Sequence, residues 1–412
     1  MNHLAILHYA APPIVGGVES TIYHHARLLT QAGYRVRVIA GRGEPFHPQV
    51  AFYRVSEVDS RHPEVMAVGE VLARGEVPPA FAALRDRLVE RLTPLLRDVQ
   101  VCIVHNAITL HKNLPLTAAL HRLSEAGVTR FIAWCHDFAW QDTLYTPDLH
   151  PGYPWDLLRT PWTGVRYVVV SAHRRGQLAA LLGIAEAEIA VVTPGVDVAE
   201  FLKLEPATRR LVERLDLLTA DPLMLLPARI TRRKNIEFAV RVTAALTRHK
   251  PQATLVVTGP PGPHNPTNVA YLRSLQALRE RLGVRARVHF LYEHGEGGEP
   301  LHVSDAMVAD LYRLADLLLF PSRREGFGIP VLEAGLARLP VFAADIPPVE
   351  ESAGALAYRF DPDGDPASVA QAILAHLAED TAYHLRHRVL RRFTWQAILA
   401  ERVIPLIQAE EG

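Results

Sequence analysis

Residues 317–340 read LLLFPSRREGFGIPVLEAGLARLP. The stretch opens as a short apolar run, breaks at Pro321-Ser322, and then delivers two acids, Glu325 and Glu333, around Gly326, Gly328 and Pro330. An apolar run of this length bounded by Pro and Ser reads as a fully buried strand, and the glycine turn predicts a helix from about Pro330. Strand, glycine loop and helix start make an anion-friendly crevice, because unpaired N–H groups and the positive end of the helix dipole point into it.

The same alternation extends along the 412 residues, a length that predicts two domains of roughly 200 residues each. Apolar residues make up 49% and charged residues 21%, which is a globular composition. Forty-four basic and forty-four acidic side chains cancel, which argues against a nucleic-acid-coating role. Cys102 and Cys135 sit in apolar runs as buried free thiols, which fits a reducing cytoplasm. The N-terminus has no basic segment followed by an apolar core, and nowhere do about 18 apolar residues follow one another, so neither a standard signal nor a membrane span is expected.

In the first half, His3–Tyr9 reads as a strand, Ala10–Gly17 as a loop ending in Gly16-Gly17, and Val18–Ala32 as a helix stopped by Gly33. Glycines before a helix let backbone N–H groups approach an anion. Val36–Ala40, Val50–Val55, Val101–Val104, Arg130–Cys135, Tyr167–Ser171 and Ile189–Val192 are further strands. Helices are expected over Ala80–Leu96 and, behind an N-cap at Ser171, over Ala172–Leu182. Parallel strands collect their carboxyl-end side chains along one edge, so His105, His136 and Asp137 are expected there together. His111-Lys112-Asn113 and Trp140–Arg159, which includes Tyr145, read as loops over that edge, where an acceptor molecule would be recognised by stacking and hydrogen bonds. His105, Lys112, Trp140 and Tyr145 are the acceptor candidates.

Residues 198–221 are polar and helical and read as a linker. Leu223–Leu226 is then a strand ending in Pro227-Ala228-Arg229, followed by Ile230-Thr231-Arg232-Arg233-Lys234-Asn235 and a helix over Ile236–Leu246. Cations at a helix start repel its positive end, so Arg229 and Lys234 make sense around a bound anion; Arg232 and Arg233 read as solvated. Asp361-Pro-Asp363-Gly-Asp365-Pro366 lacks the closing Glu of a calcium loop and reads as an N-cap with Pro at the first helical position, so no metal is expected. The basic run His384–Arg392 reads as a solvated helix face in preference to a lipid-docking surface.

Glu325-Gly-Phe-Gly-Ile-Pro-Val-Leu-Glu333 resembles the paired-acid signature of the family-4 retaining glycosyltransferases. Pro227-Ala228-Arg229…Lys234-Asn235 is similar to that family's Gly-Arg…Lys-Asn segment, with Ala228 for the Gly, and Thr193-Pro-Gly-Val-Asp197 stands where the family has Pro-Asn-Gly-Val-Asp. The resemblance implies an α/β GT-B fold of two Rossmann-like, doubly wound domains facing a cleft. It places an acceptor-side domain over residues 1–197, completed by the C-terminal helix 394–412, and a donor-side domain over 198–393.

It further implies donor binding by Gly16, Gly17, Gly326, Phe327, Gly328 and Ile329. Glu325 would lie beside the donor sugar's hydroxyls, Glu333 on the ribose, and His136 in the reaction pocket. Arg229 and Lys234 would hold the diphosphate as it leaves. The implied activity is metal-independent transfer of a hexose from a nucleotide-diphosphate sugar, of the UDP-glucose or GDP-mannose type, to a hydroxyl of a sugar, a glycerate-like molecule or a lipid-linked acceptor. No cofactor is implied beyond the donor itself, and the location implied is the cytoplasm, peripheral to a membrane at most. A nucleotide-sugar epimerase of the same architecture is the alternative. A pyridoxal-phosphate phosphorylase and a non-catalytic sugar-binding module fit less well.

Overall fold

Leu4 and Ile6 point to one face of the first strand and Ala5 and Leu7 to the other, and all four are fully buried, as in a parallel sheet covered on both sides. The computed structural model describes residues 3–262, 267–295, 297 and 299–409. Two units divide the chain, with boundaries after Val196 and after Arg392; the first unit takes the chain back from Phe393.

In the first unit, His3–Ala10 (β1), Arg35–Arg42 (β2), Ala51–Arg54 (β3), Val101–His105 (β4), Arg130–Cys135 (β5), Val165–Val169 (β6) and Ile189–Val191 (β7) form a parallel 7-stranded sheet. Its order is β3-β2-β1-β4-β5-β6-β7, with Ile6 opposite Val38 on one side and Ile103 on the other. Gly17–Gln31 (α1), Pro63–Leu72 (α2), Pro79–Leu96 (α3), Leu114–Glu125 (α4) and Ala172–Leu182 (α5) connect the strands. The order reverses between β1 and β4, and ligands of open parallel sheets bind beyond the carboxyl ends of strands at such a switch point.

The second unit carries Val198–Phe201 (α6), Pro206–Arg214 (α7), Leu223–Leu226 (β8), Ile236–Leu246 (α8), Thr254–Val257 (β9), Thr267–Arg281 (α9), Val288–Phe290 (β10) and Asp305–Leu314 (α10). Leu317–Phe320 (β11), Ile329–Leu336 (α11), Val341–Ala344 (β12), Pro347–Ala353 (α12), Tyr358–Phe360 (β13), Pro366–Glu379 (α13) and Thr381–Arg392 (α14) follow. Its parallel 6-stranded sheet runs β10-β9-β8-β11-β12-β13 and reverses between β8 and β11, the strands that end at Arg229 and at the Glu325 loop. Two Rossmann-like sheets of this kind are the GT-B pattern.

The departures from the sequence reading have local causes. Helix α4 is buried on nearly every side, so it lacks a polar stripe; Asn113, read as loop, is its N-cap and accepts from the Leu116 N–H at 3.1 Å. Strand β13 is short and half exposed at the sheet edge. Residues 198–221 are no linker: Leu204, Leu211, Val212 and Leu217 are buried with Met307 and Leu311 in the core of the second unit. A single apolar side on an otherwise polar α7 supplies that packing.

The basic run on α14 is not merely solvated. Arg386 Nε lies 3.2 Å from Asp316, His387 Nε2 lies 3.1 Å from the same carboxylate, and Arg391 pairs with Asp221, which Lys250 also reaches at 3.2 Å. Tyr383, His387 and Arg391 recur at helical spacing and so share the face turned to the sheet. Asp365 caps α13 through the Ala367 N–H, and Asp363 accepts two hydrogen bonds from Arg323. No described helix is long and apolar enough to cross a membrane.

After Arg392 the chain returns to the first unit as Trp395–Ile398 (α15), a π-helical turn Leu399–Val403, and Ile404–Gln408 (α16). Trp395, Ile398, Val403 and Ile407 are buried against β1 and α1, and Trp395 stacks on His24 at 4.9 Å. The last three residues of the C-terminal helix read from sequence lie outside the described residues. A Cβ on Gly195 would come within 2.8 Å of the Trp395 backbone nitrogen and ring, so this glycine permits the close approach. Gly195→Ala is therefore expected to destabilise the protein by about 1–3 kcal/mol, read as a lower thermal midpoint; an unchanged midpoint would remove Gly195 from the docking of this segment.

Candidate functional site

At the switch point of the second sheet, β8 runs into Arg229 and β11 into Glu325. Gly259 packs so closely against this turn that a Cβ would meet the Ala228 carbonyl at 2.5 Å and the Arg229 nitrogen at 2.7 Å. Backbone bonds from Gly259 N–H to Ala228 O (3.0 Å) and from Ile230 N–H to Pro260 O (2.9 Å) hold the two loops together. Pro263, the end of that glycine-proline loop, lies outside the described residues, as do Glu296 and Gly298 of the Gly- and Glu-rich loop 294–300.

Lys234 and Glu325 meet here. Lys234 Nζ lies 2.5 Å from Glu325 Oε1, with the two side chains 10% and 8% exposed. Arg233 reaches the other oxygen, Oε2, at 3.2 Å. Arg233 therefore joins this cluster while its side chain stays 48% exposed, as a solvated reading expects, and Arg232 lies over the Tyr271 ring at 5.1 Å. Burial lowers the Lys234 pKa most; Glu325 opposes that and Arg233 adds to it. Arg229 is exposed, and among the described residues its side chain has no ion-pair partner. Cations outnumber the acid, so the cluster attracts an anion.

Three buried polar atoms around it, Thr231 Oγ1, Asn235 Oδ1 and Ser322 Oγ, have no hydrogen-bond partner among the described residues. Unsatisfied buried groups gathered at one place signal an absent water or ligand.

Gly328 has φ +97°, a left-handed value that suits glycine, and it starts α11. A Cβ on Gly326 would meet no atom within 4 Å, so the space beside it is open. Phe327 and Ile329 are exposed at the helix start, 40% and 62%. Glu333 is exposed one turn along, and its Oε2 accepts a hydrogen bond from Tyr312 OH at 2.7 Å. Both residues line a groove of about 380 Å³ between α10 and α11. Tyr312 was missed in the sequence reading because its pairing with Glu333 joins two helices.

At the carboxyl edge of the first sheet stand His8 of β1, His105 at the end of β4 and His136 directly after β5. His8 Nδ1 bonds the His105 carbonyl at 2.9 Å, and His105 Nδ1 lies 3.1 Å from His136 Nε2. His105 has no exposed surface, so it touches His136 and not an acceptor, contrary to its sequence assignment. Asn106, which the sequence reading left without a role, adopts a left-handed conformation (φ 57°) and accepts from the N–H groups of His136 (2.7 Å) and Asp137 (3.3 Å). An Asn directly after a strand end is the signal that pointed to it.

Gly16 and Gly17 begin α1 as expected. The Glu19 carboxylate, however, lies where a Cβ on Gly16 would stand, so this helix start already faces a negative charge. Lys112 Nζ lies 5.7 Å above the Tyr145 ring, which brings two of the acceptor candidates together beside a cavity of about 190 Å³ lined by Lys112, His111, Asp148 and Trp155. Trp140 is less available: Arg159 covers one ring face at 4.0 Å, and the Trp140 indole N–H donates to the Trp155 carbonyl.

Burial holds the histidine cluster neutral. It lowers His8 and His136 to about 4 and His25 to about 3, and keeps His105 well below the ordinary range. Burial also pushes Cys135 up to about 12. The unfolded chain takes up the histidine protons near pH 6.5 and the folded protein only near 3 to 4. Stability should therefore fall as the pH drops from about 6.5 toward 4, by up to about 1.4 kcal/mol per pH unit for each ring. His25→Phe should flatten the slope of melting temperature against pH between 6.5 and 5; equal slopes would clear His25 of any part in it.

Residues 15–200 match the family profile described as Glycosyltransferase Family 4, and residues 209–390 match the one described as Glycosyl transferases group 1. The D-inositol 3-phosphate glycosyltransferase of Nocardia farcinica is 32% identical over 184 residues, which cover 44% of this chain and 38% of the relative. The chain thus spans well under half the length of that relative. Mannosylglucosylglycerate synthase of Thermotoga maritima is 24% identical over 383 residues, covering 84% of this chain and 82% of the relative. Among solved structures, a glycosyltransferase from Rickettsia africae ESF-5 aligns along 100% of both chains at 17% identity, with a TM-score of 0.39.

Proposed function

The chain belongs to the family-4 glycosyltransferases, and on that premise we propose that it transfers a hexose from a nucleotide-diphosphate sugar to a hydroxyl acceptor with retention of anomeric configuration. The observation that carries the reading is the Arg233–Lys234–Glu325 cluster at the β8/β11 switch point, where the chain after β8 also carries Arg229, with Glu333 on helix α11. Arg229 and Lys234 hold the diphosphate, and the N–H groups at the start of α11 add their partial charge, so this site handles the leaving group without a divalent ion. Glu325 has both oxygens on cations, yet each keeps a further lone pair for a sugar hydroxyl. It therefore orients the donor sugar and Lys234 together.

In this reaction the acceptor oxygen bonds to the anomeric carbon on the face from which the diphosphate oxygen departs. The departing diphosphate takes the acceptor's proton. The donor is of the UDP-glucose or GDP-mannose type. The acceptor is a sugar or a glycerate-like molecule, in keeping with the names of the two relatives above, and Lys112 beside Tyr145 suits an acid group on it. The free buried thiols Cys102 and Cys135 fit a reducing cytoplasm. Neither of those relatives is an epimerase, and that alternative is not carried further.

Proton NMR of the protein with a panel of nucleotide sugars and hydroxyl acceptors, without added metal, tests the reading. Acceptor-dependent loss of one donor should accompany a new anomeric signal of the same configuration. A product of inverted configuration, or turnover only with added metal, would overturn the corresponding part.

Two substitutions separate the acids. Glu325→Gln releases Lys234 toward the diphosphate, so nucleotide affinity should hold or rise while turnover falls about 100-fold or more. Glu333→Ala should weaken nucleotide binding about tenfold, and Tyr312→Phe, which loses the bond that aims Glu333, by less. Calorimetric titration with the nucleoside diphosphate and product quantification read both. The reverse pattern would count against this division of roles.

A further inference from the structure

We infer that His105 is a positioning residue that holds His136 in the tautomer with its proton on Nδ1, so that His136 offers a ligand a hydrogen-bond donor and not a base. The protons on the two rings can be counted. His105 Nδ1 and His136 Nε2 lie 3.1 Å apart, so one proton lies between them. His105 is completely buried, and its Nε2 has no partner among the described residues.

A neutral imidazole carries one N–H. If His136 donated to His105, the His105 proton would sit on Nε2 as a buried N–H with nothing to bond. If His105 donates through Nδ1, only a lone pair is left there. Orphaned buried N–H groups are the rarer and costlier case, so His105 donates. His136 then accepts at Nε2, and its own proton belongs on Nδ1.

The surroundings keep both rings neutral and in place. The neighbouring histidines His8 and His25, and the cations Lys112 and Arg42, disfavour added charge in this cluster. Asp137, the acid beside His136, is exposed, and its carboxylate is shared by Asn106 (3.4 Å) and Arg174 (3.3 Å). Asn106 Oδ1 fixes the backbone of His136, and the bond from His8 pins the strand end that carries His105. The nitrogen of His136 left for a ligand is thus an N–H, suited to a hydroxyl or phosphate oxygen. Its use toward the donor sugar rests on the proposed transferase reading; the tautomer is a property of the free protein.

The test is a two-bond proton–nitrogen correlation on the full chain labelled with ¹⁵N-histidine at pH 7.5, with His136 assigned by its loss in His136→Asn. The expected spectrum has a protonated Nδ1 and an unprotonated Nε2 on His136. His105→Asn, whose amide N–H stands near the lost Nδ1–H, should keep that pattern, whereas His105→Phe should shift His136 toward a mixture of tautomers. A wild-type His136 with its proton on Nε2, an even mixture, or two protonated nitrogens would overturn the inference, as would an unchanged pattern in His105→Phe. If the Phe variant does not fold, the wild-type and His105→Asn spectra decide. No sugar nucleotide enters the measurement, so its outcome stands apart from that of the transfer assay.

Discussion

Lys234 and Glu325 face each other across 2.5 Å with about nine-tenths of each side chain withdrawn from water. Burying two charges costs several kcal/mol per ion before their attraction offsets it, so such a pair is poor evidence of stability. It is better evidence of a job. The pair exists because β8 and β11 lie side by side at the reversal of strand order, which sends their two loops out of the sheet together. Arg233 and Lys234 on the one carboxylate leave the cluster positively charged in excess, with Thr231, Asn235 and Ser322 still holding unmet hydrogen-bonding capacity among the described residues. What the second unit can bind follows from that single contact and the sheet order that enforces it.

The first unit is built differently at its own reversal of strand order. Its switch point is lined by imidazoles that burial keeps neutral, tied to one another and to backbone carbonyls. A neutral edge of this kind can present directed donors and acceptors to hydroxyl-rich molecules.

Charge elsewhere in the second unit has a different purpose. The inward face of α14 sets Arg386, His387 and Arg391 on Asp316 and Asp221, residues at the amino-terminal side of β11 and β8. Asp316 also accepts from the Leu223 N–H at 2.7 Å, so the same carboxylates tie helix to sheet at the end away from the binding edge. Binding and cohesion therefore draw on opposite ends of the same two strands.

Much of this was legible in the sequence. Short apolar runs set between helical periods marked the central strands, because strands buried on both faces need continuous apolar side chains. Glycines and cations at the strand ends marked the loops that follow β8 and β11, where Lys234 meets Glu325. Elements whose burial is complete or very slight, α4 and β13, escaped for want of a stripe to read, and α7 hid its apolar side in a polar average. Pairings between distant residues were decided only by the tertiary structure. Arg233 joined the cluster, Tyr312 met Glu333, His105 turned inward onto His136, and Glu19 came to lie over Gly16. The sequence determines which chemistry each strand end carries, since local pattern and propensity act over a few residues. Which side chains then share a proton or a charge is set by strand order and helix packing, which bring together positions up to about ninety residues apart in the cluster of the second unit.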